Sequence, residues 1–212
     1  MIIIIGTALA AGLLAFGLTG WMRRVARVKS VWLRYYLHVV LAVVLGAGAG
    51  AMAEGWAELV GFTLLGVGCG LLVCVDLAAM RLPNVMVGPL YLVLLVALGA
   101  ATAVSGDWLR LVQAIGVGVA MLGVYLLLAI IRPGELGMGD VKFGGVIGLF
   151  LGWLGWGEVL LGMFAAFVLS AVVGLGLMWF FKMGRKHMLP FGPFMVAGAA
   201  VGAAMGSNFL VI

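Results

Sequence analysis

Apolar runs separated by short polar breaks extend along the whole chain. Eight runs approach the roughly 20 residues that a helix needs to cross the hydrocarbon core of a bilayer. The sixth run is short, and the break between it and the seventh is narrow. The pattern predicts an all-α fold, a polytopic membrane bundle of about eight transmembrane helices. The predicted spans are residues 2–21, 35–53, 57–76, 86–104, 109–131, 141–156, 158–181 and 191–211.

Composition supports the bilayer as solvent and excludes a soluble protein. Of the 212 residues, 66% are hydrophobic and only 9% are charged, too few charges to cover a soluble domain of this size. We therefore predict a single integral membrane domain over residues 1–212, with a short basic loop joining spans 2–21 and 35–53. The first run carries its arginines after it, unlike a cleavable signal peptide, and predicts a retained span.

Basic residues are placed as the positive-inside rule expects. Five of the twelve lysines and arginines lie between Arg23 and Arg34, and three more between Lys182 and Lys186. Placing these loops in the cytoplasm puts both termini outside and leaves only Arg110 as a basic residue on the opposite side. Such clusters can attract anionic lipid head groups. Their position beside apolar runs argues against nucleic-acid binding, despite the net charge of +5.

Two aspartates stand near membrane depth, where an acidic side chain costs roughly 2.5–3.5 kcal/mol at a helix centre and less toward the ends. Asp76 closes the third predicted span and Asp140 opens the sixth. The topology, which rests on the basic residues, places both aspartates at the same cytoplasmic face. They are therefore the leading candidates for chemistry.

Small residues share the helical faces of the two aspartates, at steps of three and four along each span. Small faces let helix backbones approach closely, so the third and sixth spans could pack with their acids facing each other. Other helices could use the same faces. The positions are Gly144, Gly148 and Gly152 beneath Asp140, and Val73, Cys69 and Gly66 beneath Asp76.

Two adjacent carboxylates have a defined chemistry. Like charges a few ångströms apart cannot both ionise easily, so one keeps its proton. The ionised member can accept a proton from water while the protonated member polarises a peptide carbonyl, as in aspartic peptidases. On spacing and topology alone, an alternative stays open in which Asp76 and Asp140 are solvated loop acids paired with Arg81 and Lys142.

Three segments, in chain order, carry a family resemblance. Residues 134–143, Gly-Glu-Leu-Gly-Met-Gly-Asp-Val-Lys-Phe, resemble the GxGD signature region of type IV prepilin peptidases. Asp76, followed by Pro83 and Asn84, is similar to the first catalytic aspartate of that family and its proline-asparagine turn. Residues 189–194, Leu-Pro-Phe-Gly-Pro-Phe, are similar to its proline-phenylalanine-glycine-proline segment. The resemblance implies a family-like core at about residues 57–211.

The resemblance implies a membrane aspartic endopeptidase with Asp76 and Asp140 as its catalytic pair. Gly137 and Gly139 would give the backbone the φ/ψ freedom to present Asp140 at the membrane surface. The other matched positions are less defined. They are Glu135 and Lys142, with an interfacial loop charge as the alternative, and Pro190, Phe191, Gly192 and Pro193, which we expect to shape the start of the last helix.

The resemblance also implies a substrate and a location, and the chain differs from many family members in one loop. The family cleaves short basic leaders from type IV prepilins and pseudopilins, whose hydrophobic helix lies in the bilayer, at the cytoplasmic face of the cytoplasmic membrane. Many members carry a cytoplasmic domain with paired Cys-x-x-Cys motifs and an N-methyltransferase activity after the first span. Here that loop, residues 22–34, is short and has no cysteine. We therefore expect a peptidase without methyltransferase activity.

Three rival functions are open. An intramembrane protease of the presenilin or signal-peptide-peptidase type also uses GxGD, but it pairs that motif with tyrosine-aspartate and proline-alanine-leucine, where this chain has Val75-Asp76 and Leu189-Pro190-Phe191. A small ion-coupled transporter would hold its acids near the midplane, and an inactive assembly scaffold would need neither. No metal site or cofactor is expected, since neither histidine has a partner at ligand spacing. The oligomeric state is not encoded.

Overall fold

A computed structural model describes residues 1–28, 30–131, 133–134, 136–181 and 189–208, apart from the side chains of residues 180, 181 and 208. This part of the chain is helical and contains no strand, which confirms the all-α prediction. Its α-helices are α1 Ile2–Gly17, α2 Thr19–Ala26, α3 Leu37–Met52, α4 Trp56–Ala79, α5 Asn84–Ser105, α6 Trp108–Ile131, α7 Met138–Leu154, α8 Trp156–Phe181 and α9 Gly192–Met205. Single 3₁₀ turns occupy Val31–Leu33 and Gly206–Asn208.

Each predicted span overlaps one of the longer helices. The apolar pattern did not predict α2 as a separate helix, because it divides residues 19–26 between the span 2–21 and the loop 22–34. Within the described ranges, four helices (α4, α5, α6 and α8) are long and apolar enough to cross a membrane alone. A fifth span results if α1 and α2 are counted together across the 51° bend between them. Helices α3 and α9 are apolar but shorter. The polytopic membrane fold is confirmed, and the count of eight spans stays a prediction.

The chain divides into two compact units, residues 1–113 and 114–212. In the first unit α4 contacts α1, α3 and α5. Glycine lets α3 and α4 approach closely, because a Cβ at Gly70 would lie 2.7 Å from the His38 carbonyl oxygen. Cys69 and Cys74 are buried in α4 with free thiols, as apolar fillers.

Thr19 accounts for the bend between α1 and α2. Its hydroxyl donates to the Phe16 carbonyl at 2.7 Å, a back-bond that bends helices. The same oxygen lies 2.9 Å from Nε2 of His38, a fully buried side chain in the first turn of α3. Because the hydroxyl proton is committed to Phe16, the His38 ring donates this second bond. The histidine thus ties the bend to α3.

In the second unit α7 contacts α8 and α9, and α8 and α9 pack against each other through glycine. A Cβ at Gly198 would lie 2.5 Å from the Gly162 carbonyl oxygen, and one at Gly202 would lie 2.5 Å from the Glu158 carbonyl oxygen. Small residues four apart give this close backbone contact in membrane helices. The outer side of α8 carries large exposed apolar side chains, such as Phe164 and Trp179, which suit contact with lipid.

We expect Gly202→Ala to destabilise the protein by about 1–3 kcal/mol, the usual cost of overpacking. The new methyl group would meet backbone atoms of α8, which cannot rotate away. Gly176→Ala is the matched control, because a Cβ at that helical position would meet nothing within 4 Å. Thermal unfolding in detergent compares the two variants. Equal midpoints would show that the α8–α9 contact tolerates a wider spacing.

Candidate active site

Asp76 lies in the last turn of α4 and is 3% exposed. The helix ends three residues later, where Met80 adopts a left-handed φ of 48° and donates its N–H to the Asp76 carbonyl at 2.8 Å. A solvated loop acid would be exposed, so that alternative is wrong for Asp76. The Arg81 guanidinium donates to the Ala26 carbonyl at 2.7 Å, and the pairing of Asp76 with Arg81 stays an open alternative.

The segment after α1 contacts α4 and the turn that follows it. Helix α3 begins level with Gly70, which packs on the His38 carbonyl, and Asp76 lies six residues further along. At 1.5 Å per residue this is about 9 Å beyond the start of α3. Helix α2 and the 3₁₀ turn Val31–Leu33 also contact α4. The short basic loop therefore packs on the helix that carries the aspartate.

The proline-asparagine turn begins α5. Pro83 has φ −67° and ψ 136° and caps the helix, and its carbonyl accepts the N–H groups of Met86 and Val87 at 2.9 and 3.1 Å. Asn84 is the first helical residue and is exposed. A proline fits a helix start because it lacks the N–H that the helix could not use there. The turn thus fixes the direction of the chain directly after the Asp76 helix.

Asp140 lies in the first turn of α7 and is half-buried. Its Oδ2 accepts the Gly137 N–H at 3.1 Å, which satisfies one of the free donors of a helix N-terminus. Its Oδ1 is buried and has no hydrogen-bond partner among the described residues. A buried polar atom without a partner is costly. One oxygen of Asp140 is thus anchored, and the other has an unused hydrogen-bonding capacity within the described part of the chain.

Gly137 and Gly139 have a different role from the one predicted. Gly137 has φ −75° and ψ 147°, which any residue can adopt, and Gly139 is helical without a positive φ. The need for special backbone freedom is therefore wrong at these two positions. At Gly137 the constraint is space, because a Cβ would lie 3.0 Å from Oδ2 of Asp140. A larger residue there would press on the anchored carboxylate.

Tyr125, in α6, was missed by the sequence reasoning. Its ring packs on the face of Gly144, one turn after Asp140 on α7, and the side chain is 1% exposed. Asp140 is also an electrostatic neighbour of the phenol. The signal in the sequence was the single aromatic residue of the predicted span 109–131, which periodicity treats as one more apolar residue.

The proline-phenylalanine-glycine-proline segment starts α9, as predicted. Phe191 caps the helix, and Pro193 lies in its first turn, while Pro190 precedes it. The Phe191 ring also lies 6.0 Å from the Tyr125 ring and 5.5 Å from the Phe167 ring, between centroids. Phe191 and Gly144, which are far apart in sequence, thus pack around the same tyrosine. In the second unit the Tyr125, Phe167 and Phe191 rings form one aromatic cluster.

The small-residue faces pack inside their own units. On α7, Cβ atoms at Gly148 and Gly152 would meet α6 at Gly118 and Val117 within 3 Å. On α4, a Cβ at Gly66 would lie 3.0 Å from Leu45 of α3. The hypothesis that the α4 and α7 stripes pack on each other stays a prediction. Each stripe places its aspartate by seating the helix within its own unit.

The two charged motif positions are Lys142 and Glu135. Lys142 follows Asp140 by two residues on α7, and residues two apart on a helix do not face each other. Glu135 lies outside the described residues, as does the basic cluster between Lys182 and Lys186.

Comparison with known proteins identifies the family. A sequence model described as the type IV leader peptidase family matches residues 63–178, more than half of the chain, and both aspartates lie inside the match. The chain belongs to the type IV leader peptidase family. As a member of this family it places the GxGD segment at the start of α7 and the first aspartate at the end of α4. The proline-phenylalanine segment lies beyond the matched region.

Relatives of this type IV leader peptidase family member include two curated bacterial proteins. They are the prepilin leader peptidase/N-methyltransferases of Burkholderia pseudomallei strains 1026b and K96243, each 38% identical over 77 residues. The match covers 36% of this chain and 24% of each relative, so the chain spans about a quarter of the curated relatives that it matches. No solved structure matches the chain.

Proposed function

We propose that this chain is an aspartic endopeptidase that removes the leader peptide of type IV prepilins or pseudopilins, with Asp76 and Asp140 as its catalytic pair. The observation that carries the proposal is the carboxyl group of Asp140. One oxygen is anchored by Gly137 and the other is buried without a partner among the described residues, in the family's GxGD segment. Asp76, almost fully buried at a helix end, supplies the second carboxyl group.

The reaction follows from two carboxyl groups that share one proton. The ionised carboxylate takes a proton from a water molecule, whose oxygen attacks the scissile carbonyl carbon. The protonated partner donates its proton to the carbonyl oxygen, which gives a neutral tetrahedral intermediate. Collapse of the intermediate breaks the C–N bond: the carboxyl group that took the proton from water gives it to the leaving nitrogen, and the other carboxylate takes a proton from a hydroxyl of the intermediate, which restores the starting pair. No cofactor or metal is required in this sequence of steps.

The location of the reaction follows from the topology of the basic residues. We propose the cytoplasmic face of the inner membrane, because alternation of the eight predicted spans would put the end of α4 and the start of α7 on the side of the basic loops. A prepilin leader is basic and its following helix is hydrophobic, so the substrate helix can lie in the bilayer with its scissile bond at this face. We propose that the enzyme lacks methyltransferase activity, because the loop at residues 22–34 has no cysteine.

Leader cleavage in membranes tests the proposal. The chain is expressed with a panel of prepilins and pseudopilins, and processing is followed as a mobility shift by immunoblot. The double variant Asp76→Ala/Asp140→Ala, at equal expression, is the blank. We expect processing of at least one substrate by the wild type and none by the blank. Absence of processing across the panel, or processing by the double variant, would contradict the peptidase proposal and favour the transporter or scaffold function.

A further inference from the structure

A basic cavity of about 540 Å³ lies in the first unit between α2 and the turn that joins α4 to α5. Arg24 and Arg27 come from α2 and the residue that ends it, and Arg81 comes from the α4–α5 turn. Among the described residues that line the cavity, none is acidic. Pro83 and Asn84 of the proline-asparagine turn also line the cavity, and neither has a step in the proposed reaction.

Two strained residues shape the cavity. Arg27 ends α2 with φ 55° and Met80 ends α4 with φ 48°, and both are non-glycine residues in the left-handed region. Such conformations persist only where the surrounding structure fixes them. They direct the chain so that Arg27 and the next residue after Met80, Arg81, line the same space.

The charge of the cavity is only partly neutralised within the protein. Arg81 donates to the Ala26 carbonyl at 2.7 Å, which offsets the negative end of α2. Arg24 and Arg27 are exposed, and neither makes an ion pair or a hydrogen bond with a described residue. Two unpaired guanidinium groups at one opening favour an anion with several acceptor oxygens, such as a phosphodiester.

Apolar residues at the same opening favour a lipid over a free anion as the ligand. Trp21, Val25 and Val85 line the cavity beside the arginines. Tryptophan is typical of the membrane–water interface, and α2 follows a membrane helix at a bend of 51°. A basic leader peptide has the wrong charge for this site, whereas a lipid offers a phosphate next to a glycerol and acyl chains.

We propose that this cavity binds the headgroup of an anionic phospholipid, with Arg24 and Arg27 on the phosphate and Trp21 beside the glycerol region. Phosphatidylglycerol is the probe, phosphatidylcholine of the same chain length tests the net charge, and inorganic phosphate tests a lipid-free anion. Each is titrated onto the full chain in neutral detergent while the thermal unfolding midpoint is followed. We expect a saturable upward shift with phosphatidylglycerol alone.

The double variant Arg24→Gln/Arg27→Gln is expected to weaken phosphatidylglycerol binding by roughly 25-fold, because each basic residue near an anionic lipid surface contributes about fivefold. Lys182→Gln/Lys186→Gln removes the same formal charge at positions outside the described residues and should change binding by less than about threefold. Equal losses in the two variants would show diffuse attraction and overturn the site. Equal shifts with phosphatidylcholine or with phosphate alone would overturn the anionic lipid as ligand.

Native mass spectrometry gives a measurement that does not depend on the variants. The wild-type chain, released from micelles that contain equal amounts of phosphatidylglycerol and phosphatidylcholine, should retain one phosphatidylglycerol molecule preferentially. Retention of both lipids in proportion to their supply would contradict the proposal. Because leader cleavage is not read out, failure here leaves the proposed peptidase function intact.

Discussion

Asp76→Asn and Asp140→Asn are each expected to lower leader cleavage by roughly 10²–10⁴-fold, the usual contribution of a positioned proton-transfer group. Asparagine keeps the shape of the side chain and one acceptor oxygen, so Asp140→Asn retains the bond from the Gly137 N–H. It cannot take or give the proton that the reaction moves. Initial rates of leader removal, measured in membranes at matched enzyme levels, give the factor.

Asp107→Asn is the matched control for both variants. Asp107 is exposed and accepts the Arg110 N–H at 3.0 Å at the start of α6, a capping role that asparagine can take over. Its cleavage rate should stay within about twofold of the wild type, as for a neutral surface substitution. Near-normal rates in either Asp76→Asn or Asp140→Asn would remove that aspartate from the mechanism.

Tyr125→Ala is expected to destabilise the protein by about 2–3 kcal/mol. In a bilayer the unfolded reference keeps the ring among lipid tails, so the hydrophobic transfer term largely drops out and the cavity term remains. That term is about 24 cal/mol per Å³, applied to roughly 100 Å³ of lost side chain. The cavity would open between Gly144, Phe167 and Phe191, beside Asp140. Thermal or denaturant unfolding in detergent measures the loss.

A double-mutant cycle ties this loss to the predicted contact. Gly144→Ala alone should be destabilising, because its new methyl group meets the Tyr125 ring. In the Tyr125→Ala background the same substitution should cost little, since the ring is gone, which gives a coupling energy of about 0.5–3 kcal/mol. Tyr35→Ala, at a tyrosine that is 69% exposed, serves as the control for a lost aromatic ring. Additive losses at positions 125 and 144 would contradict the contact.

Much of the fold could be predicted because the bilayer imposes a coarse rule on each span. Apolar length alone placed the long helices α4, α5, α6 and α8 within three residues of their observed ends. The motif positions were also readable, since Asp76, Pro83 and Phe191 stand at helix ends where polar breaks and prolines mark the boundary. These features depend on local sequence.

Features that depend on contacts between helices could not be predicted. The glycine stripe below Asp140 was visible, but its partner was not, because a stripe specifies close approach without naming the opposing helix. The Tyr125 ring of α6, which packs on Gly144 of this stripe, therefore went unnoticed. Helix α2 was hidden for a related reason. Its boundary is made by a hydroxyl of Thr19 and a histidine of α3, two polar groups that an apolar pattern passes over.

Helix α3 has a consequence for the membrane around the enzyme. It has 16 residues and is bounded by a left-handed Tyr36 and an extended Ala53. Its length is about 24 Å, whereas the hydrocarbon core is about 30 Å thick. Taken as the predicted span 35–53, α3 requires the lipids beside it to thin, or its end to lie below the headgroups. Either response shortens the path of water to the end of α4, so acyl-chain length becomes a natural control on how readily Asp76 is hydrated.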